Sequence, residues 1–290
     1  MRLASYAALA VAAILVTVKF AAWFLTDSVA VLSSLIDSGL DAAASFVNLI
    51  AIRHSLQPAD REHRFGHGKA EALAGLGQAA FVGGSALFLV LEALPRLRAP
   101  QPVQEGLTGI AVMLFSIALT LALVLFQRHV IRRSHSLAVG ADSLHYQSDL
   151  LVNVAVIVAI GLAQFANLPI ADPILALVIA GYVLWSAWQI LRGAYDTLMD
   201  RELPDDQRRR IREIVMAHPE VRDMHDLRTR RSGTDAFIQF HIELPAGISL
   251  QGAHEVSDTI ERDLHDAFPE AEVLIHQDPE GVTETRQTFG

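Results

Sequence analysis

The sequence predicts a bundle of six membrane-spanning helices followed by a small α+β domain. Three observations carry this reading. The 290-residue chain is 52% apolar, with a mean hydropathy of +0.34. Its apolar residues gather in long runs over the first two-thirds. Its charge is divided unevenly: 12 acidic and 12 basic side chains precede Asp200, whereas 20 acidic and 11 basic follow from there, which accounts for the whole net charge of −9. The expected boundary separates residues 1–199 from residues 200–290.

The six spans run in order over Leu3–Leu25, Val29–Ile52, Ala72–Leu94, Leu107–Phe126, Leu144–Phe165 and Ile170–Leu191. Each approaches the ~20 residues needed to cross a bilayer. The first resembles a signal peptide, but Lys19 and the lack of a small-residue cleavage site make it a span. Thr26-Asp27-Ser28 joins spans one and two as a tight hairpin, and residues 166–169 do the same for five and six. Arg2, Arg53, Arg61, Arg64, Lys69, Arg128, Arg132, Arg133, Arg192 and Arg201 collect on one side, against only Arg96 and Arg98 on the other. Both termini are therefore expected in the cytoplasm.

Beyond Asp200, Leu203-Pro204-Asp205-Asp206 opens a helix that reaches about Ala217, its acidic start suiting the helix dipole. His218-Pro219 ends it. Met224–Arg230 and Ala236–Leu244 alternate like strands around a Ser232-Gly233 turn. Leu250–Phe268 has helical spacing, and Glu272–His276 reads as a last strand. The order α-β-β-α-β suits a ferredoxin-like half-sandwich. Its acidity argues against nucleic acid as a partner. The chain has no cysteine, so any metal site is built from His, Asp and Glu.

Asp37 and Asp41 stand four residues apart on one face of the second span. Each costs roughly 2.5–3.5 kcal/mol at mid-bilayer, and the two repel each other. His145 and Asp149 repeat the spacing in the fifth span. Two helices that each offer such a pair can surround one ion with one nitrogen and three carboxylate oxygens, which suits tetrahedral zinc without excluding iron or cadmium. Neutral His and ionised Asp bind metal and their protonated forms do not, so the same groups can exchange a metal for protons. The alternative is polar glue between helices, or an ion pair to Lys19. In the loop after span two, Asp60, His63 and His67 offer a three-ligand site, with Gly66 and Gly68 letting the backbone turn; a solvated polar loop is the alternative. In the tail, which also carries His254, His225 and His241 fall in separate expected strands and His276-x-Asp278 closes the last, where neighbouring strands can bring them together and Asp278 can bridge two ions; a lone histidine there is otherwise a solvated side chain.

These residues resemble the cation diffusion facilitators, in particular their bacterial zinc- and iron-exporting members. The resemblance covers nearly the whole chain. It rests on Leu35-Ile-Asp37-Ser-Gly-Leu-Asp41, on Gln57-Pro-Ala-Asp60 through Glu71, on Ala141-Asp142-Ser-Leu-His145-Tyr-Gln-Ser-Asp149, on His225-Asp-Leu-Arg-Thr-Arg230, and on Ile275-His-Gln-Asp-Pro279. It implies a homodimeric, proton-coupled exporter of divalent metal in the inner (plasma) membrane, with zinc both transported and structural. The cytoplasmic domain would be metallochaperone-like. The implied transport site is Asp37, Asp41, His145 and Asp149; the implied loop site is Asp60, His63 and His67. The implied binuclear cytoplasmic site is His225, His241, His276 and Asp278, with His254 as a further ligand. Lys69 and Asp200 would interlock the protomers. Manganese-selective members carry Asp where this chain has His145, and strictly zinc-selective members carry His where it has Asp37, so zinc, cadmium and ferrous iron remain as substrates. The chain begins almost at its first span, without the short leader of some relatives and with no functional loss expected. No His-Glu-x-x-His motif supports a metalloenzyme.

Overall fold

A computed structural model describes residues 1–26, 29–98, 107–134, 136–166 and 170–282. Both expected hairpin turns, at Asp27-Ser28 and at residues 167–169, lie outside the described residues. The chain divides into two units, Met1–Tyr195 and Asp196–Gly290.

The first unit is all helix: α1 (Arg2–Thr26), α2 (Val29–Ser55), α3 (Lys69–Arg98), α4 (Leu107–Ser134), α5 (Leu137–Ala166) and α6 (Ala171–Leu198). The expected spans fall on these six. Among the described residues, α1, α2, α3, α4 and α6 each contain a stretch long and apolar enough to cross a membrane. The helix α5 is 30 residues long, and its first half carries Asp142, His145, Gln147 and Asp149. Several helices outrun the apolar stretches that announce them, because helical hydrogen bonding does not stop where hydrocarbon does. Gln127 extends α4 by donating to Asp142 Oδ2 at 2.7 Å, and Arg128 donates to Gln147 Oε1 at 2.7 Å. The start of α5 is drawn back to Leu137 by caps: Val139 N–H donates to Ser136 Oγ, and Ala138 N–H to the buried Glu71. In α3 the helix continues past Pro95, with Arg96 paired to Glu92 at 2.6 Å on the same turn.

Packing sets α1 against α2 and α4, and α5 against α3 and α4, with a short contact between α2 and α5. Small residues allow the close approaches: Ala4, Ala8, Ala138 and Ala180 are wholly or almost wholly buried. Large apolar side chains such as Phe24, Phe88, Trp185 and Trp188 face outward, where lipid rather than water is the fitting solvent.

The second unit holds α7 (Asp205–Met216), β1 (Asp223–Ser232), β2 (Asp235–Leu244), α8 (Leu250–Ala267) and β3 (Ala271–Pro279). The sheet order is β1-β2-β3, antiparallel then parallel, with α8 as the crossover. Gly233, at φ 62, makes the two-residue hairpin turn. Ile238, Phe240, Ile242 and Leu244 of β2 pack against Ile211, Val215, Ile260 and Leu264 of the two helices. Burying those apolar side chains stabilises the unit by roughly 1.5–3 kcal/mol each before entropy is counted. The expected simple alternation of β1 fails at one point. Asp226 has φ 48, and the pairing slips between His225 and Arg228, so two residues oppose one. The bulge lets Met224 and Leu227, three apart, both face the core.

Candidate metal centres

Among the described residues, four groups of metal-ligand type converge, and two of them share His225, which makes three clusters. In the first unit, Asp41 Oδ1 lies 2.9 Å from His145 Nε2, and Asp149 Oδ2 lies 3.7 Å from the same nitrogen. The donor atoms of these three lie within 4.8 Å of one another. Asp41 comes from α2 and the other two from one face of α5, so the cluster exists only where those helices meet. It borders a cavity of about 710 Å³ that Asp37 and Lys19 also line. Asp37 is exposed to that cavity, one turn before Asp41, and outside the three-donor group. Lys19 donates to Ser38 Oγ at 2.7 Å and to the Ser34 carbonyl at 3.2 Å. The sequence alternative of a lysine held among the aspartates therefore has a partial counterpart: the ammonium is anchored on the aspartates' own helix.

The second cluster lies in the loop between α2 and α3. Asp60 Oδ1 accepts the backbone N–H of His63 at 2.7 Å and of Glu62 at 2.9 Å, and the first of these bonds does most to hold its carboxyl below the usual carboxylate range. Its Oδ2 faces His67 Nε2 at 3.4 Å, and His63 Nδ1 lies 3.5 Å from Oδ1. Gly66 takes φ 74, as the turn requires, whereas Gly68 does not have a positive φ. His67 is buried and its Nδ1 has no hydrogen-bond partner.

The third cluster is a row across the sheet of the second unit. His225 pairs in register with His241, and His241 with His276. Their rings lie 5.1 and 4.4 Å apart. Asp278 spans the row: Oδ2 is 2.8 Å from His241 Nδ1 and 3.6 Å from His225 Nε2, while Oδ1 is 3.1 Å from His276 Nε2. His225 is buried with neither ring nitrogen hydrogen-bonded. A buried imidazole whose nitrogens make no hydrogen bond is costly, and the donor set of His nitrogens and a bridging carboxylate fits a divalent ion such as zinc. Asp223 and Glu243 stand one step along the same face, with Glu243 Oε1 3.8 Å from His225 Nδ1.

Two expected groups are not brought together within a unit. His254 is exposed on α8, 3.5 Å from Asp258, outside the histidine row. Lys69 opens α3 in the first unit, while Asp200, at φ 54, lies 3.5 Å from Arg230 in the second.

Sequence reasoning missed a buried polar network beside the first cluster. Asp142 accepts from Gln127 and from Ser45 Oγ at 3.3 Å, Ser45 Oγ lies 2.8 Å from the Tyr146 hydroxyl, and that hydroxyl donates to the Ala8 carbonyl at 3.3 Å. The available signal was a stripe: Asp37, Asp41, Ser45 and Asn48 follow one face of α2.

Residues 5–199 match the family described as "Cation efflux transmembrane domain", and residues 203–280 the "Cation efflux protein, cytoplasmic domain". The chain is 50% identical over 277 residues to the cation-efflux pump FieF of Pectobacterium carotovorum, covering 96% of this chain and 92% of that one. It is 48% identical over 284 residues to the pump of the same name in Klebsiella pneumoniae, covering 98% and 94%. Among solved structures, one titled "Mode of Action of a Putative Zinc Transporter CzrB" is 36% identical, covers 27% of this chain and 99% of its own, and has a TM-score of 0.27.

Proposed function

The chain belongs to the cation efflux family, and on that premise we propose that it exports divalent metal, zinc first, from the cytoplasm in exchange for protons. The observation that carries this is the convergence of Asp41, His145 and Asp149 beside a cavity, with Asp37 one turn away. Three carboxylates and one imidazole match the charge and hardness of a borderline divalent ion. Cadmium and ferrous iron are the runners-up.

Metal enters from the cytoplasm and is held by ionised Asp37, Asp41 and Asp149 and by neutral His145. Rocking of the helices exposes the site outward. Protons then displace the metal, since each ligand loses its donor pair on protonation, and they return inward on the same groups. A transport site needs ligands on helices that can part, and α2 and α5 meet only briefly. The protein sits in a bacterial inner membrane with both termini in the cytoplasm, the side where its arginines gather. It acts as a homodimer, with Lys69 and Asp200 interlocking protomers. Metal at the histidine row, with His254 as an added donor, is structural and draws the tails together, and the loop holds a further ion.

Reconstituted vesicles test this. Zinc flux should follow an imposed pH gradient and disappear in Asp41→Ala; flux indifferent to the gradient sinks the coupling. Metal binding without any flux would make the protein a sensor instead. Competitive flux with cadmium and ferrous iron ranks the substrates.

A further inference from the structure

The loop cluster has a neighbour that no sequence pattern marked. His54, in the last turn of α2, places its ring 4.6 Å from that of His67 at an interplanar angle of 62°. His63, on the other side, is also 4.6 Å from His67, at 45°. Two imidazoles that share a tetrahedral zinc through bonds of about 2.0–2.1 Å hold their ring centres about 5 Å apart. Both pairs stand near that spacing, as do the histidine pairs of the sheet at 5.1 and 4.4 Å. The shared member, His67, has only 5% of its side chain exposed; its Nε2 faces Asp60, and its Nδ1 is unpartnered. His54 is exposed, so its ring can turn without disturbing a core. It stands just outside the group formed by Asp60, His63 and His67, whose donors lie within 4.8 Å of one another.

We propose that His54 is the fourth protein ligand of the loop metal. The proposal rests on the loop being a metal site, as read above, and changes what kind of site it is. Three protein ligands leave a position open to water or exchange, whereas four close the shell and make the metal structural. With His54 the ligands come from the end of α2, from the loop, and from His67 two residues before α3. The metal then staples the two helix ends across a turn that hydrogen bonds from the Asp60 and Gly66 backbone N–H groups to the His63 carbonyl already tighten. A staple there would fix the cytoplasmic end of α2, the helix that carries Asp37 and Asp41.

The test uses the full-length protein loaded with Co²⁺, whose visible absorption is intense in a tetrahedral site and weak in a five- or six-coordinate one. Subtracting the spectrum of His67→Ala from wild type isolates the loop site. The expected difference is an intense band. In His54→Phe, which keeps a ring against His67 but offers no nitrogen, that band should fall to a weak one while the loop still binds cobalt. Zinc should leave the loop at least about tenfold more readily, within the range lost when a supporting group of a metal site is removed. An unchanged band in His54→Phe overturns the fourth ligand and leaves the three-ligand loop standing. No difference between wild type and His67→Ala would sink the loop site itself, and this proposal with it.

Discussion

The helix cluster and the sheet cluster use similar side chains but are held in opposite ways. Asp41, His145 and Asp149 meet because two helices touch; among the described residues no backbone-to-backbone hydrogen bond joins one helix to the other, only side-chain bonds such as Asn48 Nδ2 to the Ala138 carbonyl. His225, His241 and His276 sit opposite one another because a hydrogen-bonded ladder sets their register. A rigid-body shift of α2 against α5 would dismantle the first cluster at the cost of a few side-chain hydrogen bonds from Ser45 and Asn48, with no strand ladder to break. The second cannot be opened without breaking strand pairing. A site that must release its ion belongs on the first scaffold, and a site that keeps its ion belongs on the second.

The largest effect that would test this contrast is loss of a helix ligand. Asp41→Ala removes the closest partner of His145. Its cost to metal affinity should exceed the roughly 10–100-fold typical of an outer-shell partner, so zinc flux in vesicles should fall to the leak. Circular dichroism and tail metal content should stay at wild-type values. Surviving flux would mean that this meeting of helices is not the transport site.

Next in size is the bridge of the sheet. Asp278→Asn takes the carboxylate from its three histidines, and tail zinc affinity should drop about 10–100-fold. Flux at saturating zinc should fall far less than in Asp41→Ala. An equal fall would erase the functional distinction between the clusters.

How much of each cluster was legible follows from the same contrast. The i, i+4 spacing of Asp37 with Asp41 and of His145 with Asp149 is a local property of a helix, so each half-site could be read directly. That Asp41 rather than Asp37 comes nearest to His145 depends on how α2 rotates against α5, which no local pattern encodes. In the tail the strands were legible from alternation and the histidines were named as one site through the family resemblance, yet their register as a row was not written in any local pattern. It depends on the pairing of three strands far apart in sequence and on the bulge at Asp226. His54 was missed for another reason: twelve residues of chain separate it from His67, and only the fold of the loop brings the rings together.

The loop offers a smaller test, through pH. Asp60 is held ionised below the usual carboxylate range, chiefly by the His63 N–H. A depressed carboxylate gains nothing between pH 5.5 and 7.5, because it is ionised throughout; its contribution is lost only on acidification through its own low pKa. Imidazoles as a class titrate inside that window and bind metal only when neutral. Loop occupancy should therefore decline from pH 7.5 to 5.5. Asp60→Asn should weaken zinc binding at every pH in the window and so move the midpoint of that decline to higher pH at a fixed zinc concentration. Unchanged zinc affinity across the window in equilibrium dialysis would mean that Asp60 does not hold the loop metal.

The smallest predicted effect is also the most specific to the sheet scaffold. Asp226 holds φ 48 in the bulge of β1, a left-handed conformation that Asp and Asn tolerate and other L-residues enter at about 1–2 kcal/mol. Asp226→Asn should be neutral. Asp226→Ala should lower stability by about 1 kcal/mol, which in a domain of this size is roughly 4–8 °C in Tm. No metal ligand changes in either variant. The bulge, however, is what allows His225 to stay opposite His241 while Leu227 and Thr229 remain on the buried face. Straightening it would force β1 either to turn His225 away from the row or to bury Arg228, which is exposed. Calorimetry and zinc titration of the two variants separate the possibilities. If Asp226→Ala loses stability and tail zinc affinity together while Asp226→Asn loses neither, the row is held by the backbone. If stability falls but affinity does not, the histidines find one another through side-chain adjustment, and the sheet site is no more rigid than the helix site.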